Sequence, residues 1–161
     1  MKKYLVIGNP IEHSLSPKLH NYWFEKNNID ANYSKRKIDK NKIQEVISEI
    51  RDKKLDGINV TVPFKNDVIP FLDTLSEESK ITQSVNTIYM HDDKLIGHNT
   101  DIKGFELSLR ETHFNLKDKK IFVLGAGGVV PSIIYALEKS GVSKIIVSNR
   151  TKQKAEDLKK N

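Results

Sequence analysis

The 161-residue chain predicts an α/β fold in two parts. A mostly parallel α/β unit is expected over residues 1–101, and a connector helix with the first part of a second unit over residues 102–161. Three observations predict this. Short β-branched runs recur with stretches of helical spacing between them, the pattern of a parallel sheet whose crossovers are helices. A glycine turn, Gly125-Ala126-Gly127-Gly128, separates a strand pattern from a helix pattern. In the strand ending Ile58-Asn59-Val60-Thr61-Val62, apolar and polar residues alternate with a period of two.

Taken in order, Tyr4-Leu5-Val6-Ile7 reads as a buried first strand. With Met1-Lys2-Lys3 before it the segment superficially resembles a signal peptide, but Gly8-Asn9-Pro10 ends the apolar run too early. A loop leads to Ser16-Pro17, where serine as N-cap and proline in the first turn open a helix reaching about Asn28. Ala31 to Ile38 is a second, more polar strand. Ile43, Val46, Ile47 and Ile50 recur at helical spacing and mark an amphipathic helix. Leu55 to Val62 forms the third strand. Pro63 stops it, having no N–H for the ladder, and suits the first position of a short helix from Phe64 to Leu72. Lys65 then falls in the opening turn of that helix, at the positive end of its dipole. After a turn at Ser76-Glu77-Glu78, the segments Val85 to Met90 and Lys94 to Gly97 pair as a hairpin around His91-Asp92-Asp93.

A new unit begins near Asp101 with the connector helix, Ile102 to about Glu111. Lys119 to Leu124 is a strand, Val129 to Lys139 a helix, Lys144 to Val147 a strand, and Thr151 to Lys160 the start of another helix. Such a β-α-β-α run is the first part of a Rossmann-type dinucleotide-binding domain, here incomplete.

Composition narrows the partners. The net charge is +6 with both signs mixed along the chain. The densest basic spots, Lys35-Arg36-Lys37 and Lys117-Asp118-Lys119-Lys120, carry no interleaved aromatics and read as solvated faces, which argues against nucleic acid. No stretch approaches a membrane span. The absence of cysteine excludes disulfides, thiolate zinc sites and thiol catalysis, and fits a reducing cytoplasm. The five histidines are scattered and form no metal-ligand pattern.

Several residue groups could carry chemistry. Gly125, Ala126, Gly127 and Gly128 lie where backbone N–H groups at a helix start bind a pyrophosphate, although Val130 is larger than the usual third glycine or alanine. Where NAD binders usually place an acidic residue, this chain offers Asn149, Arg150, Thr151 and Lys154. A guanidinium there suits a 2′-phosphate and favours NADP over NAD, although a solvated arginine beside a capped helix reads almost as well. Ser14 and Ser16 bracket Leu15 just before a helix N-terminus. Two hydroxyls there would hold a carboxylate, while the plainer role of Ser16 is an N-cap. Asn59 and Thr61 share a strand face that points toward Lys65. Asn86 emerges beside apolar Val85 and Ile88, and Asp101 reads as a helix cap or as the carboxylate partner of a lysine. Spacing alone does not choose.

Five motifs together point further. Gly8-Asn9-Pro10-Ile11-x-His13-Ser14-x-Ser16-Pro17, Asn59-Val60-Thr61-Val62-Pro63-Phe64-Lys65, Val85-Asn86-Thr87, Gly97-x-Asn99-Thr100-Asp101 and Gly125-Ala126-Gly127-Gly128 closely resemble the shikimate dehydrogenase family, in order and spacing. The resemblance implies that Ser14 and Ser16 bind a substrate carboxylate. It assigns Asn59, Thr61, Asn86 and Asp101 to the ring hydroxyls, and Lys65 with Asp101 to catalysis. Gly125 to Gly128 would receive the NADP pyrophosphate, with Asn149, Arg150, Thr151 and Lys154 at the adenosine phosphate. The implied reaction is the reversible reduction of 3-dehydroshikimate to shikimate by NADPH, in aromatic amino-acid biosynthesis. Val129-Val130-Pro131 departs from the small and basic residues usual after the glycines.

The family's chain also runs beyond Asn161, which implies a C-terminal truncation. The rest of the cofactor sheet and a C-terminal glutamine that contacts substrate lack counterparts, so the 161-residue chain is expected to bind NADP poorly and turn over little. A quinate/shikimate dehydrogenase and a non-catalytic shikimate-binding relative are the alternatives. A short-chain dehydrogenase, suggested by Tyr135-x-x-x-Lys139, has that pair on the wrong helix. A small-molecule substrate is the expected partner, and a homodimer stays open.

Overall fold

A strand buried on both faces needs consecutive apolar residues, and the inner part of the first strand, β1 (Lys2–Gly8), has them in Leu5, Val6 and Ile7, after the exposed Lys2 and Lys3. Leu5 and Ile7 enter one core and Val6 another. The computed structural model describes residues 1–159. After β1 come α1 (Ser16–Lys26), β2 (Ala31–Lys37), α2 (Ile43–Arg51), β3 (Gly57–Val60), β4 (Thr74–Leu75), α3 (Glu77–Thr82), β5 (Thr87–His91) and β6 (Lys94–His98). Then follow α4 (Asp101–Glu111), β7 (Lys120–Leu124), α5 (Val130–Lys139), β8 (Lys144–Ser148) and α6 (Lys152–Asp157). The last expected helix position, Lys160, lies outside the described residues.

The chain divides into two compact units, Met1–Ser76 with Val85–His98, and Glu77–Ser84 with the residues from Asn99 on. This partition differs from a division at residue 101, because α3 belongs with the second unit. The first unit holds a six-stranded sheet in the order β2-β1-β3-β5-β6-β4. β1 runs parallel to β2 and β3, and β4 parallel to β6, while β5 is antiparallel to β3 and β6. The buried stripe Ile43, Val46, Ile47 and Ile50 of α2 packs with Leu5, Ile7, Ile58, Val60, Ile88 and Leu95. At about 1.5–3 kcal/mol per fully buried aliphatic side chain, this layer dominates the unit's stabilisation. Val6, Ile11 and Tyr33 form a smaller core on the opposite face, with Tyr4 and Phe24 against it. Asp92 and Asp93, both at positive φ, make the two-residue hairpin turn between β5 and β6.

Three expectations need correction. β3 ends at Val60, and Val62 is exposed rather than part of the alternating strand. Residues 64–72 do not form a helix: turns over 62–68 lead into a short 3₁₀ segment, Ile69–Phe71. Phe64 and Val68 are both buried at a helical spacing of four, which imitates a helix. Pro70, however, has no N–H to continue the ladder, and the backbone bonds after Val68 close over three residues. The expected turn at Ser76-Glu77-Glu78 instead opens α3, with Thr74–Leu75 forming a short strand before it.

In the second unit, β7 and β8 pair in parallel from Lys120↔Lys144 to Leu124↔Ser148. α5 buries Val130, Ser132, Ala136 and Leu137. No helix among the described residues is long and apolar enough to cross a membrane.

Candidate functional site

The loop after β1 and the start of α1 build one wall of the site. Ser16 is the first residue of α1, not its cap; the cap position is Leu15 and no side chain bonds there. The Ser16 N–H instead donates to Ser14 Oγ (3.3 Å), so the preceding serine takes one donor of the helix start. Pro17, lacking an N–H, removes another. The Ser16 hydroxyl is therefore not spent on capping. A cavity of about 250 Å³ is lined by Val6, Pro10, Ile11, His13, Ser14, Ser16 and Thr61. Three predicted residues, Ser14, Ser16 and Thr61, thus share one concavity at the N-terminus of an eleven-residue helix. Hydroxyls and a positive helix end at the same place suit an anion such as a carboxylate.

The second wall comes from β3 and the chain leaving it. Thr61 follows β3, and its N–H donates to the Ile7 carbonyl (2.9 Å), so the backbone pairing outlasts the regular strand. Lys65 lies in the turn region and is half-buried; its carbonyl accepts the Val85 N–H (2.8 Å). That bond ties the lysine segment to the chain just before Asn86. The Asn86 carbonyl accepts the Val60 N–H (2.9 Å) and its N–H donates to the His98 carbonyl (3.1 Å), fixing the residue between β3 and β6.

Asn59 is engaged in the wall itself. Its Oδ1 accepts the Tyr33 hydroxyl (2.6 Å), and its Nδ2 donates to the Asn86 carbonyl (3.1 Å) and to Thr87 Oγ1 (3.0 Å). The Thr87 hydroxyl in turn donates to Asn86 Oδ1 (3.0 Å). Tyr33 is 4% exposed, and burial pushes its phenol well above the ordinary range. The His20 ring stacks on it at 4.2 Å and 10°, and burial lowers the imidazole below its ordinary value. Tyr33 had no signal in the sequence, and Thr87 only its place in Val85-Asn86-Thr87; strand register brings both to Asn59.

Asp101 stands in the second unit as the first residue of α4, where a carboxylate favours the helix dipole. The cap position is Thr100, so the expected cap role does not fall to Asp101. Its N–H donates to Asn99 Oδ1 (2.9 Å). Asn99, 2% exposed, donates from Nδ2 to the Ser84 carbonyl and to Ser132 Oγ (2.8 Å each). Asn99 and Ser132 are further residues that sequence reasoning left without a role. The Asn-Thr-Asp motif was the only hint.

Also in the second unit, Gly125 adopts φ +112° and its N–H donates to the Ser148 carbonyl (2.7 Å). Such a φ strains any residue with a Cβ. No atom lies within 4 Å of where a Cβ would stand on Gly125, Gly127 or Gly128, so the turn before α5 presents open backbone. Asn149 accepts the Ala126 N–H (3.1 Å) and donates to the Thr151 carbonyl (2.9 Å), bracing the glycine turn against the segment after β8. Arg150, Thr151 and Lys154 are exposed beyond it. Open glycines at a helix start with nearby cations fit a phosphorylated dinucleotide.

Comparisons with known proteins agree with this anatomy. A family model described as the shikimate dehydrogenase substrate binding domain matches residues 6–88, and one described as shikimate / quinate 5-dehydrogenase matches residues 106–161. A shikimate dehydrogenase (NADP(+)) of Pelagibacter ubique is 60% identical over 99% of this chain and 60% of its own length. The corresponding protein of Caldicellulosiruptor saccharolyticus is 42% identical, over 99% of this chain and 58% of its own. The crystal structure of shikimate dehydrogenase from Aquifex aeolicus matches with a TM-score of 0.92 at 40% identity, covering 99% of this chain and 60% of that one. The Thermus thermophilus enzyme in complex with NADP(H) and shikimate matches with a TM-score of 0.89 at 32% identity, over 99% and 60% respectively. This chain therefore spans about three fifths of the length of these relatives. With the substrate-binding model matching just over half of its residues, the chain belongs to the shikimate dehydrogenase family.

Proposed function

We propose that the protein catalyses the reversible, NADPH-dependent reduction of 3-dehydroshikimate to shikimate. The observation that carries this reading is the cavity in which Ser14, Ser16 and Thr61 meet at the start of α1. A polyhydroxylated ring acid needs that combination: hydroxyls and a helix N-terminus for its carboxylate, further polar groups for its ring. Ser14 and Ser16 take the carboxylate. Thr61 and Asn86, with Asn59 behind them, serve the ring hydroxyls, as does Asp101.

NADPH, when bound, supplies a hydride to the carbonyl carbon. Gly125, Ala126, Gly127 and Gly128 are assigned its pyrophosphate, and Asn149, Arg150, Thr151 and Lys154 its adenosine 2′-phosphate end. The carbonyl oxygen gains negative charge in the reduction, and Lys65 donates the proton that neutralises it; in the reverse direction Lys65 accepts that proton. Asp101 is the second residue assigned to catalysis. Residues 1–101 act as the substrate domain and residues 102–161 as the beginning of the cofactor domain. The reaction is placed in the cytoplasm, whose reducing conditions suit a chain without cysteine.

Titrating shikimate into the purified protein tests the reading. Saturable binding is expected, with quinate weaker. Ser14→Ala and Ser16→Ala should each weaken shikimate by about tenfold, the size of one hydrogen bond to a charged group. In a full-length context, Lys65→Ala should lower NADP-dependent turnover of shikimate by about 10²–10⁴. Failure to bind shikimate, or near-normal turnover by Lys65→Ala, would sink the assignment.

A further inference from the structure

The face of the first sheet that carries α1 holds a chain of hydrogen bonds crossing several strands. Directly paired residues point to the same face of a sheet. The register pairs Val6 with Asn59 and Asn59 with Thr87, and it pairs Tyr33 with Tyr4, two residues before Val6. Tyr33, Asn59 and Thr87 therefore stand on one face, with the small Val6 between the tyrosine and the asparagine. The Tyr33 hydroxyl reaches over Val6 to Asn59 Oδ1 at 2.6 Å.

Each donor in this row has one direction to point. Tyr33 donates its only O–H to Asn59. Asn59 uses its two Nδ2 hydrogens on the Asn86 carbonyl and Thr87 Oγ1. Thr87 Oγ1 accepts from Asn59 and sends its one hydroxyl hydrogen to Asn86 Oδ1. Every member is thus oriented by the one before it, and the last oriented atom is the amide oxygen of Asn86. An amide whose oxygen is held by Thr87 has its flip state fixed. Polarisation along such a row strengthens each successive bond. The start of the row is itself anchored: Asn21 Oδ1 accepts the Tyr33 N–H and Asn21 Nδ2 donates to the Tyr33 carbonyl, both at 2.8 Å. His20 stacks on the ring.

We propose that Tyr33 and Thr87 are positioning residues that act through Asn59 to fix the orientation of the Asn86 side-chain amide toward the substrate ring. Asn59 then acts on Asn86 from within the wall, with both of its N–H groups donated to protein. The inference rests on the shikimate-binding reading above for its ligand. The relay itself belongs to the unliganded chain.

The test measures the shikimate dissociation constant for wild type, Tyr33→Phe, Thr87→Val, Thr87→Ser and the Tyr33→Phe/Thr87→Val double variant. Alongside, the Asn86 side-chain amide resonances are followed in unliganded, asparagine-labelled protein. Tyr33→Phe and Thr87→Val should each weaken binding about fivefold, the size of one net hydrogen bond. The double variant should lose no more than the worse single one, since both break the same row. Thr87→Ser should restore wild-type affinity, and Tyr33→Phe should shift the Asn86 amide resonances. Unchanged affinity in Tyr33→Phe, or losses that multiply in the double variant, would overturn the proposal. If Tyr33→Phe does not fold, the contrast of Thr87→Val with Thr87→Ser decides: loss restored by serine supports the relay, and equal behaviour refutes it. If wild type binds no shikimate, the proposed function falls. The relay is then judged on the Asn86 resonances alone, supported by a shift and refuted by none.

Discussion

Gly8 shows how closely the site's backbone is set. A Cβ on Gly8 would stand 2.6 Å from Thr61 Cγ2 and 3.1 Å from the Val62 carbonyl oxygen. Thr61 cannot easily withdraw, because its N–H is bonded to Ile7 and the Val62 carbonyl accepts the Asn9 N–H. Gly8→Ala is expected to cost about 1–3 kcal/mol of stability through overpacking and to weaken the proposed shikimate binding by moving Thr61 within its cavity. Denaturant unfolding and ligand titration check both, and wild-type values in each would show that Thr61 yields freely. At this scale the sequence pointed to Ser14, Ser16 and Thr61, which line one cavity. The groups behind them were hidden. Tyr33 lies 26 residues before Asn59, and only the pairing of β2, β1 and β3 puts the two on one face. Strand pairing is a tertiary property that no local spacing encodes.

Elements with a strong period were the legible ones. The stripe Ile43, Val46, Ile47 and Ile50 predicted α2 closely, and all four residues are buried. Ile50→Ala should cost about 2–5 kcal/mol by removing buried methylenes and leaving a cavity. A shift of the denaturation midpoint without a change in slope checks this. A shift well under 1 kcal/mol would mean that the layer collapses into the space. Elements without a clean period were lost or misread. α3 carries Glu77 and Glu78 in its first turn and buries the small polar residues Ser79 and Thr82, so it presents no apolar stripe to read. The segment from Phe64 to Leu72 had the stripe but not the helix, because Pro70 withholds a donor. Serine and aspartate at the starts of α1 and α4 suggested caps by residue type; the structure moves each one position inward, to the first helical residue. Helix ends are fixed by neighbouring side chains as much as by the terminal residue.

For the molecule as a whole, the sign of its pH dependence follows from burial. His20 packs against Tyr33 and Phe24, and burial holds its imidazole below the ordinary 6.5. The folded state therefore binds the proton less readily than the unfolded chain. The neutral imidazole's contribution is complete above about pH 6.5 and is lost as pH falls below it toward the folded value. Falling pH also raises an already positive net charge of +6, and self-repulsion acts in the same direction. Melting temperature should decline from about pH 7 to about pH 5.5, and His20→Asn should decline less. Parallel slopes in the two proteins would assign the titration elsewhere. In the sequence, the glycine turn led to a division into two units near residue 101. That α3 joins the second unit was not legible, since this needs Thr82 and Ser84 to lie beside Asn99.

That arrangement around Asn99 also bears on the order in which the chain folds. Its bonds to Ser84 and Ser132 close loops of 15 and 33 residues, while its bond to the Asp101 N–H spans two. The short bond can form with the first turn of α4, but the amide is locked only after two distant segments arrive, and each loop must first be closed at an entropic cost. The acceptor of the Asp101 N–H is therefore set late. The fixing of this acceptor at the start of α4 thus belongs with completion of the second unit's interior rather than with formation of α4 itself.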